Sequence, residues 1–370
     1  MKKHYTAVVL GAGPAGAACG ISLQKNGVNH CVLDKAVFPR KKTCAGLVTG
    51  KTFRLLQALY DGAVSDALFC DTADTVRLLR GKEEIAAAAI KQPVRLVNRE
   101  TFDNALTERY RSLGGTLYEG VRVSVDTKNH RLLLQNGDEL YYDNLIFADG
   151  ALSLSRKLYA VAKRRLAFGA EIYLPTEKLP SKSVDLYFGY IANGYIWTFP
   201  HGDSVCVGAA GAYDQTTDYR AILTRFLAER GIDAADGRIV GAFLPYGTPV
   251  PQQNFPEDVM LVGDAGGFAD PISGEGLYMA LQTGIYAAQA VKTQEPKRRY
   301  LQAVRPLLQI IRDGRRVQKL FYHPAVHSRL LHRVQGNSRA VRFYFDAQVD
   351  DYRYTYRQMH KLYKDYKRSR

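Results

Sequence analysis

The sequence is poor in the residues that build redox or metal centres. It has five cysteines, Cys19, Cys31, Cys44, Cys70 and Cys206, an odd and scattered set with no CxxC spacing. This argues against a disulfide framework and against a zinc site, and it fits a reducing, cytoplasmic setting. No HExxH stretch and no convincing hydrolytic triad occurs, so no metal ligand is assigned and hydrolysis is not expected. No apolar run is long enough to span a bilayer, and no fixed-period repeat or low-complexity tract interrupts the chain. The charge is unevenly placed. Residues 297–370 carry nineteen Lys and Arg against five Asp and no Glu, a net +14. The whole chain is +15, which leaves +1 for residues 1–296. The basic character therefore belongs to the C-terminal region and says little about the body. At 370 residues the chain holds two or three domains' worth of core.

What is present begins at residue 6. TAVVL reads as a short buried parallel strand. Gly11-Ala12-Gly13-Pro14-Ala15-Gly16 follows, then an alanine-rich helix over 15–25 that stops near Gly27. His30 to Leu33 forms a second strand ending at Asp34 and Lys35. Gly11 permits a tight turn, Gly13 lets the backbone approach a pyrophosphate, and Gly16 lets helix and strand pack closely. The helix N-terminus offers N–H groups to phosphate, and an acid at the place of Asp34 suits ribose hydroxyls. A secretion signal is the rival reading, but its cleavage region would fall in this turn and helix.

Two later segments extend the pattern. LIFADG (145–150) is a strand ending at Asp149-Gly150, with Ser153 and Arg156 beyond. VMLVGDAGG (259–267) is a buried strand ending at Gly263-Asp264, and PISGEGL (271–277) opens a helix to about Lys292. NAD usually rests on one contiguous unit, whereas an elongated ligand such as FAD needs contacts from widely separated loops. The ordered set favours FAD. Residues 99–106 begin a helix that Thr101 would cap, and Asn136-Gly137 signals a type I′ hairpin within 131–142. Segments 166–174, 184–190, 195–199 and 204–211 alternate as antiparallel strands, and 218–230 reads as a surface helix ended by Gly231.

This order of motifs resembles the FAD-dependent oxidoreductases of the aromatic-hydroxylase fold. Within them it is most similar to the geranylgeranyl reductase family: Lys42-Thr43-Cys44-Ala45-Gly46-Leu47, Tyr195-Ile196-Trp197-Thr198-Phe199-Pro200 and PISGEGL each match a family stretch. The likeness covers about residues 1–295. His201 departs from it, because the family commonly has lysine after the proline. The resemblance implies an α/β (α+β overall) fold with a Rossmann-type FAD-binding domain, an inserted antiparallel-sheet substrate domain and a helical C-terminal tail. The expected boundaries are 1–75, 95–160 and 255–296 for FAD, 76–94 and 161–254 for substrate, and 297–370 for the tail.

The resemblance also implies the site. FAD contacts are expected at Gly11, Gly13, Pro14, Ala15, Gly16, Asp34, Lys35, Cys44, Ala45, Gly46, Arg99, Val123, Asp149, Gly263, Asp264, Gly274, Gly276 and Leu277. Cys44, Tyr195, Trp197 and Phe199 would face substrate, with Phe188 beside them. Competing readings are a small buried thiol for Cys44, plain sheet core for the aromatics, a solvated arginine at 99, an exposed turn histidine at 201 and a first-turn helix acid for Glu275. The implied reaction reduces carbon–carbon double bonds of an apolar prenyl lipid by hydride transfer from reduced flavin. The reductant would be NAD(P)H or a protein donor, since no second Rossmann unit is visible. Alternatives are a flavin-dependent monooxygenase or halogenase, and a non-catalytic membrane-associated flavoprotein. The tail, rich in aromatics such as Phe321, Tyr322, Phe343, Tyr344, Phe345, Tyr352, Tyr354, Tyr356, Tyr363 and Tyr366, reads equally as a helical cap or as a peripheral contact with the inner face of the membrane. Nucleic acid is a weak third option because no recognisable module accompanies the charge.

Overall fold

The TAVVL run becomes the buried end of a central strand, β1 (Lys2–Leu10), flanked by parallel neighbours β2 (His30–Leu33) and β9 (Glu139–Phe147). This computed structural model describes residues 2–161, 165–323, 332, 335–350, 357, 358, 360, 361 and 364. β6 (Leu117–Tyr118) extends the parallel sheet beyond β2, and β15 (Val259–Leu261) pairs with the C-terminal half of β9. β7 (Val123–Asp126) and β8 (Arg131–Leu134) add an antiparallel hairpin against the N-terminal half of β9. All the parallel strands are brought to one end, so the turns after β1, β2, β9 and β15 converge. That is where an open α/β sheet places its ligand.

Helices α1 (Pro14–Lys25), α2 (Gly50–Leu59), α3 (Arg99–Ser112) and α7 (Leu277–Val291) share one core cluster. The short turns α4 (Ser155–Leu158) and α6 (Gly263–Gly266) follow β9 and β15. α1 packs closely on α7, and small residues make this approach possible: a Cβ on Gly284 would meet the Ala15 carbonyl oxygen at 2.1 Å.

A second sheet runs in the order β14 (Val240–Pro245), β10 (Leu166–Pro175), β13 (Ser204–Ala212), β12 (Gly194–His201), β11 (Val184–Phe188), β4 (Asp71–Arg80), β5 (Glu83–Leu96) and β3 (Leu47–Val48). It is antiparallel except where β11 lies parallel to β4, a pairing the local alternation could not show. The period of two sorts its faces. Ile172, Leu174, Ile196, Val205 and Val207 pack against Leu223, Phe226 and Leu227 of α5 (Tyr219–Ala228). Each such side chain contributes roughly 1.5–3 kcal/mol by leaving water. The other face carries Tyr195, Trp197, Phe199 and Cys206.

The basic tail caps this assembly. α8 (Pro296–Phe321) lays Val304, Leu307, Ile310 and Ile311 on the core, while Arg298, Arg305, Arg312, Arg316 and Lys319 face outward. α9 (Ser338–Asp350) packs on β5, with Val341 buried in the cluster that holds Trp197. Tyr352, Tyr354, Tyr356, Tyr363 and Tyr366 lie outside the described residues. Among the described residues no helix is long and apolar enough to cross a membrane.

Two local expectations are corrected. α3 is capped by Asn98, not Thr101, because the Asn98 side chain accepts the Glu100 N–H and Thr101 already lies inside the helix. The hairpin at 134–138 is not type I′. Only Gly137 is left-handed (φ 83°), and its N–H bonds the Leu134 carbonyl at 3.0 Å. The Asn136 carboxamide instead accepts the Asp138 N–H at 3.0 Å, holding an Asx-type bend with Gly137 absorbing the extra residue.

Candidate functional site

A single cleft of about 2030 Å³ opens where the strand ends meet the second sheet. One drug-sized ligand usually occupies roughly 300–1,000 Å³. The volume therefore suits an elongated dinucleotide with a second ligand beside it.

The glycine-rich turn forms one end. Gly11 has φ 104°, and a Cβ there would meet the Ala148 carbonyl at 2.5 Å, so only glycine lets β1 turn this close to β9. Gly13, Pro14 and Ala15 line the cleft at the start of α1, which no side chain caps. Its first N–H groups are therefore available to an anion. α7 repeats the arrangement: its cap residue Gly276 and Leu277 line the same cleft, again without a capping side chain. Asp34 accepts the Ala12 N–H at 2.7 Å and the Ala36 N–H at 2.8 Å, fixing the turn that it borders. Lys35, Val123 and Asp264 also line this end.

Asp149 gives a direct test of whether a polyhydroxylated cofactor fits. Its Oδ2 accepts the Leu154 N–H at 2.7 Å, while Oδ1 is buried with no partner among the described residues. Burial raises the Asp149 pKa above the ordinary carboxylate value. An unused buried acceptor in the wall of the cleft is what a ribose or ribityl hydroxyl would satisfy. Together with the two uncapped helix starts, it shows a residue set that fits FAD.

Arg99 is buried, which overturns the solvated-arginine reading. It makes a two-pronged ion pair with Asp103 at 2.7 and 2.8 Å and still borders the cleft. Arg40, not anticipated from the sequence, joins the same carboxylate at 3.2 Å and lies 3.3 Å from where a Cβ on Gly13 would sit. Two guanidinium groups thus meet on one buried carboxylate at the edge of the cleft.

The stretch 42–47 crosses the middle of the cleft. Cys44, Ala45 and Gly46 all line it, and Cys44 is half-buried. The Cys44 N–H donates to Glu171 Oε1 at 3.0 Å, and the Cys44 sulfur accepts the Gly46 N–H at 3.5 Å. His201 is buried, contrary to the exposed-turn reading. Its Nε2 lies 3.0 Å from the Ala45 carbonyl, so that nitrogen carries the hydrogen, and Nδ1 faces the Cys70 thiol at 3.3 Å. Burial lowers its pKa, and the ring is neutral near pH 7. His201 therefore holds the Cys44 loop in place, and nothing in its surroundings makes it a proton donor to the cleft.

The far end is apolar. Tyr195, Trp197 and Phe199 line it from β12, with Phe188 and Leu186 from β11. The core-only reading of these aromatics fails because the same side chains that join the sheet cluster also border the cavity. The Trp197 indole lies over Gly208, where a Cβ would meet Cζ2 at 2.0 Å. Among the described residues its buried Nε1 has no oxygen or nitrogen partner, only the Cys206 sulfur nearby. The Tyr195 hydroxyl donates to the Ser273 carbonyl and so ties this sheet to the PISGEGL loop. Val317, Phe321 and Tyr322 of the α8 end and Val341, Tyr344 and Phe345 of α9 roof the chamber. This agrees with the helical-cap reading of the tail, and it is achieved by a short inward-facing apolar stripe among the cationic residues.

Three further placements differ from expectation. Gly16 and Gly263 stand behind the lining. A Cβ on Gly16 would meet the Gly11 carbonyl oxygen at 1.7 Å, and one on Gly263 the Ala15 Cβ at 2.9 Å, so both serve close packing. Gly274 and Glu275 do line the cleft, but Glu275 is no first-turn acid. It lies before the cap of α7 and pairs with Lys51 at 2.6 Å, while Thr49 donates to its other oxygen at 3.0 Å. The Lys51 and Glu275 side chains are only 3% and 11% exposed.

Comparisons with known proteins bear on the cofactor class and the fold. A family model described as an FAD binding domain matches residues 4–169. The menaquinone reductase of Mycobacterium tuberculosis is 30% identical over 326 residues, covering 78% of this chain and 76% of that one. The geranylgeranyl diphosphate reductase of Rhodobacter capsulatus is 29% identical over 301 residues, covering 77% and 74%. Among solved structures, a geranylgeranyl bacteriochlorophyll reductase-like protein of Thermoplasma acidophilum superposes with a TM-score of 0.79 at 17% identity, covering 99% of this chain and 100% of that one. That last likeness establishes the fold.

Proposed function

The chain belongs to the geranylgeranyl reductase family of FAD-dependent oxidoreductases, and from that premise we propose that it saturates carbon–carbon double bonds of a prenyl lipid. The observation that carries the reading is the shape of the cleft: a dinucleotide end and an aromatic, aliphatic end share one continuous cavity. A prenyl chain has no polar group except its head, so it needs a wall of this composition.

FAD, when bound and reduced, supplies the hydride. The chain's own residues position the partners. Gly13 and Ala15, with Gly276 and Leu277, present N–H groups to the anionic and carbonyl parts of the cofactor, with Arg40 and Arg99 opposing the phosphate charge. Asp34 and Asp149 take its hydroxyls, and the backbone at Val123 borders its adenine end. Asp264 and the 44–46 loop border the middle. Cys44, Tyr195, Trp197 and Phe199 face the substrate and exclude water. Residues 1–75, 95–160 and 255–296 form the cofactor body except for β3, β4 and β5, which belong with 161–254 to the substrate sheet, and α8 and α9 cover it. The reductant is NAD(P)H or a protein donor. The outward cations of the tail lie beside a chamber roofed by that same tail, which supports peripheral contact with the surface that holds the lipid.

The test is anaerobic. Purified FAD-loaded protein is photoreduced and mixed with geranylgeranyl diphosphate or with a menaquinone. Reoxidation of the flavin, with a product richer by one pair of hydrogens, is the expected result. Reoxidation only on admitting oxygen, with an oxygenated or halogenated product, would contradict the proposal.

A further inference from the structure

We propose that Glu171 is the catalytic acid that protonates the carbon next to the one receiving hydride, a role that rests on the reductase reading above. No residue type or spacing in the sequence distinguishes it. The structure does, through place and company.

Glu171 lies on β10 with its side chain turned to the cleft and is 2% exposed. It stands opposite Gly208 on β13, and Gly208 stands opposite Trp197 on β12. The three share one row of the sheet. The missing side chain at Gly208 lets the indole of Trp197 lie across the row toward Glu171. Among the described strand residues of this sheet that line the cleft, Glu171 alone carries a carboxyl group. Other donors along this wall are committed or hidden. The Tyr195 hydroxyl is used on Ser273, and His201 is held behind the loop by Ala45.

Saturating an alkene needs a proton as well as a hydride. The electron pair of the hydride makes one C–H bond. The π pair of the alkene takes the Glu171 proton to make the other. The cofactor loses two electrons, and Glu171 is left as a carboxylate that regains its proton from water. Such an acid must hold its proton near neutral pH and must tolerate the charge afterwards. Burial raises the Glu171 pKa to about 7, opposed by the Cys44 N–H and by the charges of Arg99 and Lys42. The Cys206 thiol approaches Oε2 at 4.0 Å, and the Tyr173 hydroxyl on the same strand is close enough to feel the charge. The Cys44 N–H at 3.0 Å is thus a built-in partner for the carboxylate. The loop that presents Cys44 to the cleft also sets the acid.

The experiment compares wild type, Glu171→Gln and Glu171→Asp as FAD-loaded holoenzymes. Glutamine still accepts the Cys44 N–H, so the visible spectrum and lipid binding are expected to stay as in wild type. After photoreduction, mixing with geranylgeranyl diphosphate should reoxidise wild-type flavin with a rate that falls above about pH 7. Glu171→Gln should be slower by roughly 100-fold or more and lose that pH dependence, with partial recovery in Glu171→Asp. Infrared difference spectra of the resting holoenzyme give a readout without turnover. A protonated-carboxyl band should titrate near pH 7 in wild type and vanish in Glu171→Gln. A Glu171→Gln rate within about threefold of wild type, or an unchanged pH profile, would overturn the assignment. So would absence of the infrared band. If wild type oxidises with no prenyl lipid while the band is present, the reductase reading itself falls and takes the acid role with it.

Discussion

Replacing Lys51 by methionine isolates one interaction that joins α2 to the cofactor end of the cleft. Lys51 lies 2.6 Å from Glu275, and its pKa is lowered by desolvation and raised back by Glu275. Methionine fills similar volume but leaves the buried carboxylate without a countercharge, held among the described residues only by the Thr49 hydroxyl. Removing one partner of a buried pair costs about 3–5 kcal/mol, whereas replacing both by neutral groups of similar size is nearly neutral. Lys51→Met is therefore expected to lose about 3–5 kcal/mol at pH 8, and Lys51→Met/Glu275→Gln to recover most of it. The assay is urea unfolding followed by Trp197 fluorescence at constant m-value. Because Gly274 to Leu277 line the cleft, Lys51→Met should also weaken FAD, and the double variant should restore it. A Lys51→Met loss below about 1 kcal/mol, or a double variant no better than the single, would refute the idea that this pair anchors the loop.

Other consequences follow from the same geometry. Glu171 has a folded pKa near 7 against an ordinary 4.5, so its contribution is fully present below pH 4.5 and is lost as pH rises through 7. Wild-type stability should accordingly fall by about 3 kcal/mol relative to Glu171→Gln between pH 4 and pH 8, read from unfolding midpoints. Gly16→Ala places a Cβ 1.7 Å from the Gly11 carbonyl and should cost about 3 kcal/mol together with FAD retention, read by flavin content after purification. Gly208→Ala should push the Trp197 indole into the chamber, weakening prenyl-lipid binding about tenfold while FAD content stays constant.

How much of this was legible depended on range in the chain. The strand–turn–helix at 6–25 was readable because Gly11, Gly13 and Gly16 act within one local unit. The 44, 195–199 and 271–277 stretches were readable because they keep family spacing. Glu171 was not: one glutamate in an alternating strand looks like a solvent-facing residue until the sheet order places Gly208 and Trp197 beside it. The Lys51–Glu275 pair joins residues far apart in sequence, and no periodicity announces it. Arg40 sat in a basic run that reads as surface. The tail was legible as a helical cap but not in which of its residues reach the cleft. Its charge dominates composition, whereas the contribution to the cleft comes from a few inward residues such as Phe321, Val341 and Phe345.

The central claim is that one cleft holds a reduced flavin against a prenyl chain. An anaerobic single turnover tests it most directly, with photoreduced holoenzyme, a geranylgeranyl lipid, and the flavin absorbance and lipid mass followed together. The account predicts that flavin oxidation and addition of one hydrogen pair to the lipid proceed at the same rate. Reduced flavin that persists beside unchanged lipid, and oxidises only when oxygen enters, would contradict it.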